Sequence, residues 1–305
     1  MNFFLETLQV FGLSVYYILE SLVFLVVPRR KKNVSGEIVL ITGAGSGIGR
    51  LLSLKFASLG ATVVLWDINQ EGLKETSRLA RENGAGRVHC YICDCSKRQD
   101  IYRVADQVKK EVGDVSILIN NAGIVTGKKF VDSPDSLMEK TMEVNIMAHF
   151  WTYRAFLPAM MASNHGHLVS IASLAGLSGF SHLTDYCASK FAAVGFAEAV
   201  DAEMRGLEKT GVKTTIVCPS FINTGMFDGC RTKWPRLLPI LEPEYVAEKI
   251  ITAIRQDQKM LLLPRCPYLL YALRNIVPAK VQALLEVYLG VLHNMDSFKG
   301  QAKKD

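Results

Sequence analysis

The chain has 305 residues, 49% of them apolar, and 35 basic against 29 acidic side chains give a formal net charge of +6. That charge is modest and forms no basic stripe interleaved with aromatics, which argues against nucleic acid as a partner. The seven cysteines (Cys90, Cys93, Cys95, Cys187, Cys218, Cys230 and Cys266) follow no disulfide framework and have no histidine at ligand spacing. They read as reduced, buried small hydrophobes in a cytosolic environment, with no metal site.

The first element is apolar from Phe3 to Val27 and is closed by Pro28 and the cluster Arg29-Arg30-Lys31-Lys32. A cleaved secretory signal carries its positive charge first and ends in small residues; here the order is reversed, so an uncleaved anchor is expected, with everything after it in the cytosol. Glu6 and Glu20 leave only Thr7 to Leu19 free of carboxylates. Asn2, Glu6, Gln9, Tyr16, Tyr17 and Glu20 share one helical sector. Three arrangements follow: a helix lying in the membrane interface, a tilted span, or a helix packed on the protein's own core.

From Glu37 to Pro264, short β-branched runs alternate with helical periodicity. Strands are expected at Ile38–Ile41, Thr62–Leu65, Val88–Ile92, Ser116–Ile119, His167–Ile171, Lys213–Val217 and Met260–Leu263. Helices are expected near Gly47–Leu59, Gln70–Asn83, Lys97–Val112, Pro134–Met161, Asp185–Leu207 and Pro243–Gln256. Such alternation implies an α/β, doubly wound Rossmann fold with a seven-stranded parallel sheet, in addition to the N-terminal anchor helix. The organisation expected is an anchor and basic flank at 1–32, a Rossmann-type domain at 33–264, and an apolar extension at 265–305. The extension either completes the core or makes a second membrane contact.

Between the first strand and the following helix lies Gly43-Ala44-Gly45-Ser46-Gly47-Ile48-Gly49. This is G-x-x-x-G-x-G rather than G-x-G-x-x-G. The glycines nonetheless serve a tight turn and a close approach to pyrophosphate at a helix N-terminus, implicating Gly43, Ser46, Gly47, Ile48 and Gly49. The second strand ends at Asp67, whose carboxylate can accept from a ribose 2′-hydroxyl and would repel a 2′-phosphate. No Arg or Lys lies between Thr42 and Gly49. NAD is therefore expected in preference to NADP.

Tyr186-Cys187-Ala188-Ser189-Lys190 places a phenol and an ammonium at i and i+4 on one helical face. Free tyrosine titrates near 10, and a nearby ammonium together with the positive nicotinamide is expected to lower it toward a useful base. With Ser173, Asn120-Asn121-Ala122-Gly123, Asn145 and the Pro219–Thr224 segment, the chain resembles the short-chain dehydrogenase/reductase family over 36–260. Position 220 departs from that family's pattern, being Ser instead of Gly. The resemblance implies Tyr186 as acid/base, Lys190 on the nicotinamide ribose, and Ser173 on the substrate oxygen. It also implies Asn145 in a proton relay, and Asn121, Ala122, Gly123 and Thr224 against the cofactor. Asp94 would touch the adenine edge in that family; a helix N-cap is the other reading.

Finer similarities, among them Gly36–Thr42, Leu65–Asn69 and Val108–Asp114, point to the epidermal retinol dehydrogenase branch and its neighbour, the lipid-droplet 17-beta-hydroxysteroid dehydrogenases. They imply NAD-dependent oxidation of all-trans-retinol at the endoplasmic reticulum membrane or on lipid droplets. A steroid substrate, and a lipid-droplet scaffold with an incidental fold, remain as alternatives, and a homo-oligomer stays open. The residues themselves argue for a lipophilic small molecule through the apolar loop 224–242, with Met226, Phe227, Trp234 and Leu237-Leu238.

Overall fold

The computed structural model describes residues 2–27, 29–84, 86–274 and 276–300; Pro28, expected to close the apolar segment, lies outside them. The chain divides into two compact units, 1–33 and 34–305.

In the first unit, α1 (Phe3–Val26) is one uninterrupted helix, capped by the Asn2 side chain accepting from the Phe4 N–H at 3.2 Å. Its apolar stretch from Phe3 to Phe24 is long enough to cross a membrane and none of it is buried.

The second unit is a seven-stranded sheet with every pairing parallel, in the order β3-β2-β1-β4-β5-β6-β7. The strands are β1 (Ile38–Thr42), β2 (Thr62–Asp67), β3 (Val88–Ile92), β4 (Ile117–Asn120), β5 (Gly166–Ile171), β6 (Val212–Pro219) and β7 (Met260–Leu263). The period of two sorts β1 between the two faces. Val39 and Ile41 pack with Leu52 and Phe56 of α2 (Gly47–Ser58), Leu73 of α3 (Gln70–Glu82), and Val246 and Ile250 of α8 (Pro243–Arg255). Leu40 points the other way, toward Ile101 and Val104 of α4 (Arg98–Glu111), Phe156 of α6 (Ala148–Ser163) and Val200 of α7 (Thr184–Gly206). Burial on both faces is why β1, β2 and β4 read as near-continuous apolar runs, while the edge strand β3 is only partly buried.

Two expectations are corrected. The single helix expected over Pro134–Met161 is interrupted: α5 (Asp135–Met142) passes into a wide π-type turn, Glu143–Met147, before α6. The turn carries Asn145, whose buried amide is fully engaged with a neighbouring loop, and such widened turns accompany functional positions. The cysteines are all free, but Cys90 is exposed on the edge strand β3, so it does not fit the buried reading.

The C-terminal extension forms α9 (Pro267–Arg274) and α10 (Ala279–Leu289), both largely exposed. The segment 288–299 then returns over the loop that follows β6.

Candidate active site

The cofactor turn is built by backbone that only glycine permits. Gly43 has φ +66°, and a Cβ there would lie 2.9 Å from Ala122 Cα. At Gly49 a Cβ would come within 2.0 Å of the Gly43 carbonyl oxygen. Gly49 therefore serves the approach of α2 to the turn, and it does not line the cavity beside it. The first turn of α2 leaves N–H groups without intrahelical partners, and the Ser46 side chain caps none of them. Asn121 holds the opposite loop in place: its amide donates to the carbonyls of Thr42 and Gly43 at 2.9 and 3.2 Å. The N–H groups of Asn121 and Ala122 both donate to Thr42 Oγ1 at 3.0 Å. Turn, free helix N-terminus and acidic residue together fit a dinucleotide.

Asp67 is held in two places. Its Oδ2 accepts from Gly45 N–H at 2.8 Å and its Oδ1 from Asn69 N–H at 2.9 Å. The carboxylate thus stands at the end of β2 against the glycine turn, where a 2′-phosphate would meet like charge. We expect kcat/KM for NAD to exceed that for NADP at least tenfold, about 1.4 kcal/mol. Asp67→Ser should narrow the ratio, and equal use of the two cofactors by the parent would refute the role of Asp67. Asp94 is not the helix N-cap, which is Lys97. The Asp94 Oδ1 accepts from the Ser96 N–H and hydroxyl at 3.0 and 2.6 Å, organising the turn before α4, while the residue also lines the cavity.

The reactive end lies where β5, β6 and α7 meet. Lys190 is buried, and its Nζ donates to the Ile171 carbonyl at 2.8 Å. It stands 5.5 Å from the Tyr186 ring centroid. Burial lowers its pKa to about 8. Tyr186 departs from expectation: burial pushes the phenol well above its ordinary range, and the hydrogen bond from Ser173 offsets this only in part. The balance of burial against the Ser173 hydrogen bond is upward, which favours the neutral phenol in the protein by itself. Ser173 opens a 3-10 turn (Leu174–Gly176), accepts from Ala175 N–H at 3.1 Å, and has its hydroxyl 3.4 Å from the Pro219 carbonyl.

Asn145 lies behind the cavity wall. Its Oδ1 accepts from Ile124 N–H at 2.9 Å, and its Nδ2 donates to the Ile124 carbonyl and Ser189 Oγ, both at 3.0 Å. Its side chain therefore fixes the loop after β4 against α7.

One cavity of about 600 Å³ joins these parts. It brings together Gly43, Ser46, Gly47, Ile48, Asp67, Asp94, Asn121, Ala122, Gly123, Ser173, Tyr186, Lys190 and Thr224, leaving Gly49 and Asn145 outside its lining. Position 220 does not need glycine: Ser220 has no positive φ, and its N–H donates to the Leu263 carbonyl at 2.7 Å. The loop 224–242 divides, with Met226 and Phe227 facing the cavity while Trp234 and Leu237 are exposed, so the latter pair does not line the pocket as expected. Sequence reasoning missed Phe180, Leu183 and Phe221, which pack around Tyr186 and wall the cavity there, Ile222 in the same lining, and Lys140, which pairs with Asp94 at 4.0 Å. It also missed that Cys93 and Cys95 line the cavity. The apolar character of Phe180, Leu183, Phe221 and Ile222 was legible; their convergence was not.

A profile described as "short chain dehydrogenase" matches residues 37–234. The chain belongs to the short-chain dehydrogenase family. This short-chain dehydrogenase is 62% identical over 293 residues to human epidermal retinol dehydrogenase 2, covering 96% of this chain and 95% of that protein. It is 48% identical to human estradiol 17-beta-dehydrogenase 11 over 95% of this chain and 96% of the relative. Among solved structures it resembles a short-chain dehydrogenase/reductase from Burkholderia phymatum in complex with NAD, with a TM-score of 0.73 and 28% identity, over 83% of this chain and 96% of the other. The short-chain dehydrogenase described here is an NAD-dependent oxidoreductase.

Proposed function

We propose that this enzyme oxidises a lipophilic alcohol at a membrane, with all-trans-retinol converted to all-trans-retinaldehyde as the leading reaction. The observation that carries this reading is the wall of the tyrosine end: Phe180, Leu183, Phe221, Met226 and Phe227 surround Tyr186, and Lys190 is the one charged side chain there among the described lining residues. An apolar wall with a few convergent polar groups suits a lipid alcohol. The 62% identity to epidermal retinol dehydrogenase 2 supports retinol over other lipids. A steroid 17-hydroxyl is the second reading, supported by the 48% identity to estradiol 17-beta-dehydrogenase 11.

In this reading, the Ser173 hydroxyl and Tyr186 hold the alcohol oxygen. The phenolate of Tyr186 removes the hydroxyl proton as the carbon surrenders its hydride. Bound NAD supplies the two-electron acceptor, and its positive ring opposes the desolvation that keeps Tyr186 neutral. Lys190 holds the nicotinamide ribose hydroxyls and passes the proton outward. Asn145, beside Ser189 on the helix that carries Lys190, would order the water that completes this relay. Gly43, Ser46, Gly47, Ile48, Asn121, Ala122, Gly123 and Thr224 hold the remainder of the dinucleotide. The anchor and basic flank at 1–32 place the catalytic domain on the cytosolic face of the endoplasmic reticulum, or on lipid droplets. The extension from 265 adds a second apolar contact with the membrane.

Membranes containing the full chain should reduce NAD when given all-trans-retinol, at a kcat/KM at least tenfold above that for estradiol. A reversed ratio would establish the steroid reading. Turnover of neither, with NAD still bound, would remove both and favour a scaffold.

A further inference from the structure

The reaction assigned above does not use the last described residues, yet they reach the catalytic tyrosine's surroundings. Met295 is buried in one apolar cluster with Tyr186, Leu183, Phe221 and Cys230, and Phe227 and Phe298 pack against it. The cavity wall at this point is Phe227, edge-on to Tyr186 at 5.7 Å between centroids and to Phe221 at 5.1 Å. Met295 and Phe298 are absent from the lining and lie behind it.

The segment 294–299 runs alongside 228–231 in the opposite direction. Lys299 N–H donates to the Asp228 carbonyl at 2.9 Å, and Arg231 N–H to the Asn294 carbonyl at 3.1 Å. The buried Asn294 amide, oriented to satisfy both its ends, donates to the carbonyls of Gly290 and Arg231 at 2.7 and 3.1 Å. Cys230 Sγ lies 3.2 Å from Met295 Sδ, and Trp234 Nε1 donates to the Tyr288 carbonyl at 2.8 Å. Two glycines make room for this path. At Gly127 (φ +67°), in the loop after β4, a Cβ would stand 2.0 Å from Phe298 Cε1; at Gly229 (φ +85°), it would stand 2.0 Å from the Ser297 carbonyl oxygen. The loop carrying Phe227 has little strand or helix pairing of its own, its described ladder contact being the Ile222–Leu241 bridge.

We propose that residues 294–299 are a strap that holds loop 226–234 closed on the substrate end of the cavity, with Met295 and Phe298 as positioning residues for binding of the bulky apolar alcohol. They act through Phe227, and the sheet, the glycine turn and Asp67 do not depend on them. This inference rests on the lipid-alcohol reading for its kinetic consequence, while the strap itself does not.

Two measurements on the full-length membrane enzyme test it. Limited trypsin digestion reads the strap: cleavage at Arg231, Lys233 and Arg236 should accelerate at least tenfold in Phe298→Ala and Met295→Ala, with other sites unchanged. Phe298 is only partly buried, so its truncation leaves a folded chain, and NAD affinity within threefold of the parent verifies that. Kinetics with all-trans-retinol and estradiol as probes read the consequence: KM should rise at least tenfold with kcat within threefold, and Phe298→Leu should restore KM to within threefold. Unchanged loop cleavage would overturn the strap, whatever the parent oxidises. Faster cleavage with kcat lost and KM unchanged would overturn its role in substrate positioning. If the parent oxidises neither probe, the reaction assigned above fails, and the digestion still decides the strap.

Discussion

Tyr186→Phe is expected to lower turnover by 10²- to 10⁴-fold, roughly the range attributed to a positioned general acid or base, while NAD affinity stays within about threefold. The substitution deletes one hydroxyl and leaves the ring, and the ring's packing is what the neighbourhood uses: Tyr186 is buried against Phe227 and lies below Lys190. Each tenfold loss corresponds to about 1.4 kcal/mol of transition-state stabilisation, so the deficit is about 3–5 kcal/mol. The pH dependence follows from the same burial. A phenol held above its ordinary range is protonated at neutrality, so oxidation, which needs the phenolate, should accelerate as pH rises from 7 to 9. Reduction of the carbonyl, which needs the phenol, should change little over the same interval, because the phenol stays protonated throughout. Lys190, with its pKa at about 8, loses its charge in this window, so the rise should flatten toward its upper end. Stopped-flow formation of NADH, with NAD affinity measured by fluorescence, separates the two effects; turnover of the phenylalanine variant within tenfold of the parent would remove Tyr186 from the chemistry.

Deleting residues 1–28 should move the enzyme from the membrane pellet to the supernatant, and the full chain should resist extraction by alkaline carbonate. The 24 residues of α1 extend about 36 Å at 1.5 Å per residue, against a hydrocarbon core of about 30 Å. The length therefore suffices for a tilted span, while the polar sector containing Glu6 and Glu20 suits an interfacial helix equally. Either arrangement is strongly held, since each buried CH₂ contributes about 0.8 kcal/mol and α1 exposes Phe3, Phe4, Phe11 and Leu22. Arg29 to Lys32 should resist translocation, leaving 33–305 on the cytosolic side and Asn33 in Asn33-Val34-Ser35 unglycosylated. Protease added to sealed microsomes should digest the domain without detergent. Protection until detergent is added would reverse the orientation, and release by carbonate would refute firm anchoring.

Much of this protein is written locally. The β-branched runs define the strands because a parallel strand is buried on both faces, and each expected strand appears within two residues of its place. The glycine turn, Asp67 at a strand end, and Tyr186 four residues before Lys190 are legible because each depends on a few consecutive residues and a helical or extended period. Folding decided what depends on distant segments meeting. Asn145 sits in a widened turn because its amide bonds to Ile124, 21 positions away, and no periodicity shows that. Lys140 joins Asp94, and Met295 and Phe298 reach the tyrosine's cluster, only when separate loops converge. The state of Tyr186 belongs with these. Its spacing to Lys190 points to a lowered pKa, yet the fold surrounds the phenol with apolar side chains, and that burial raises it.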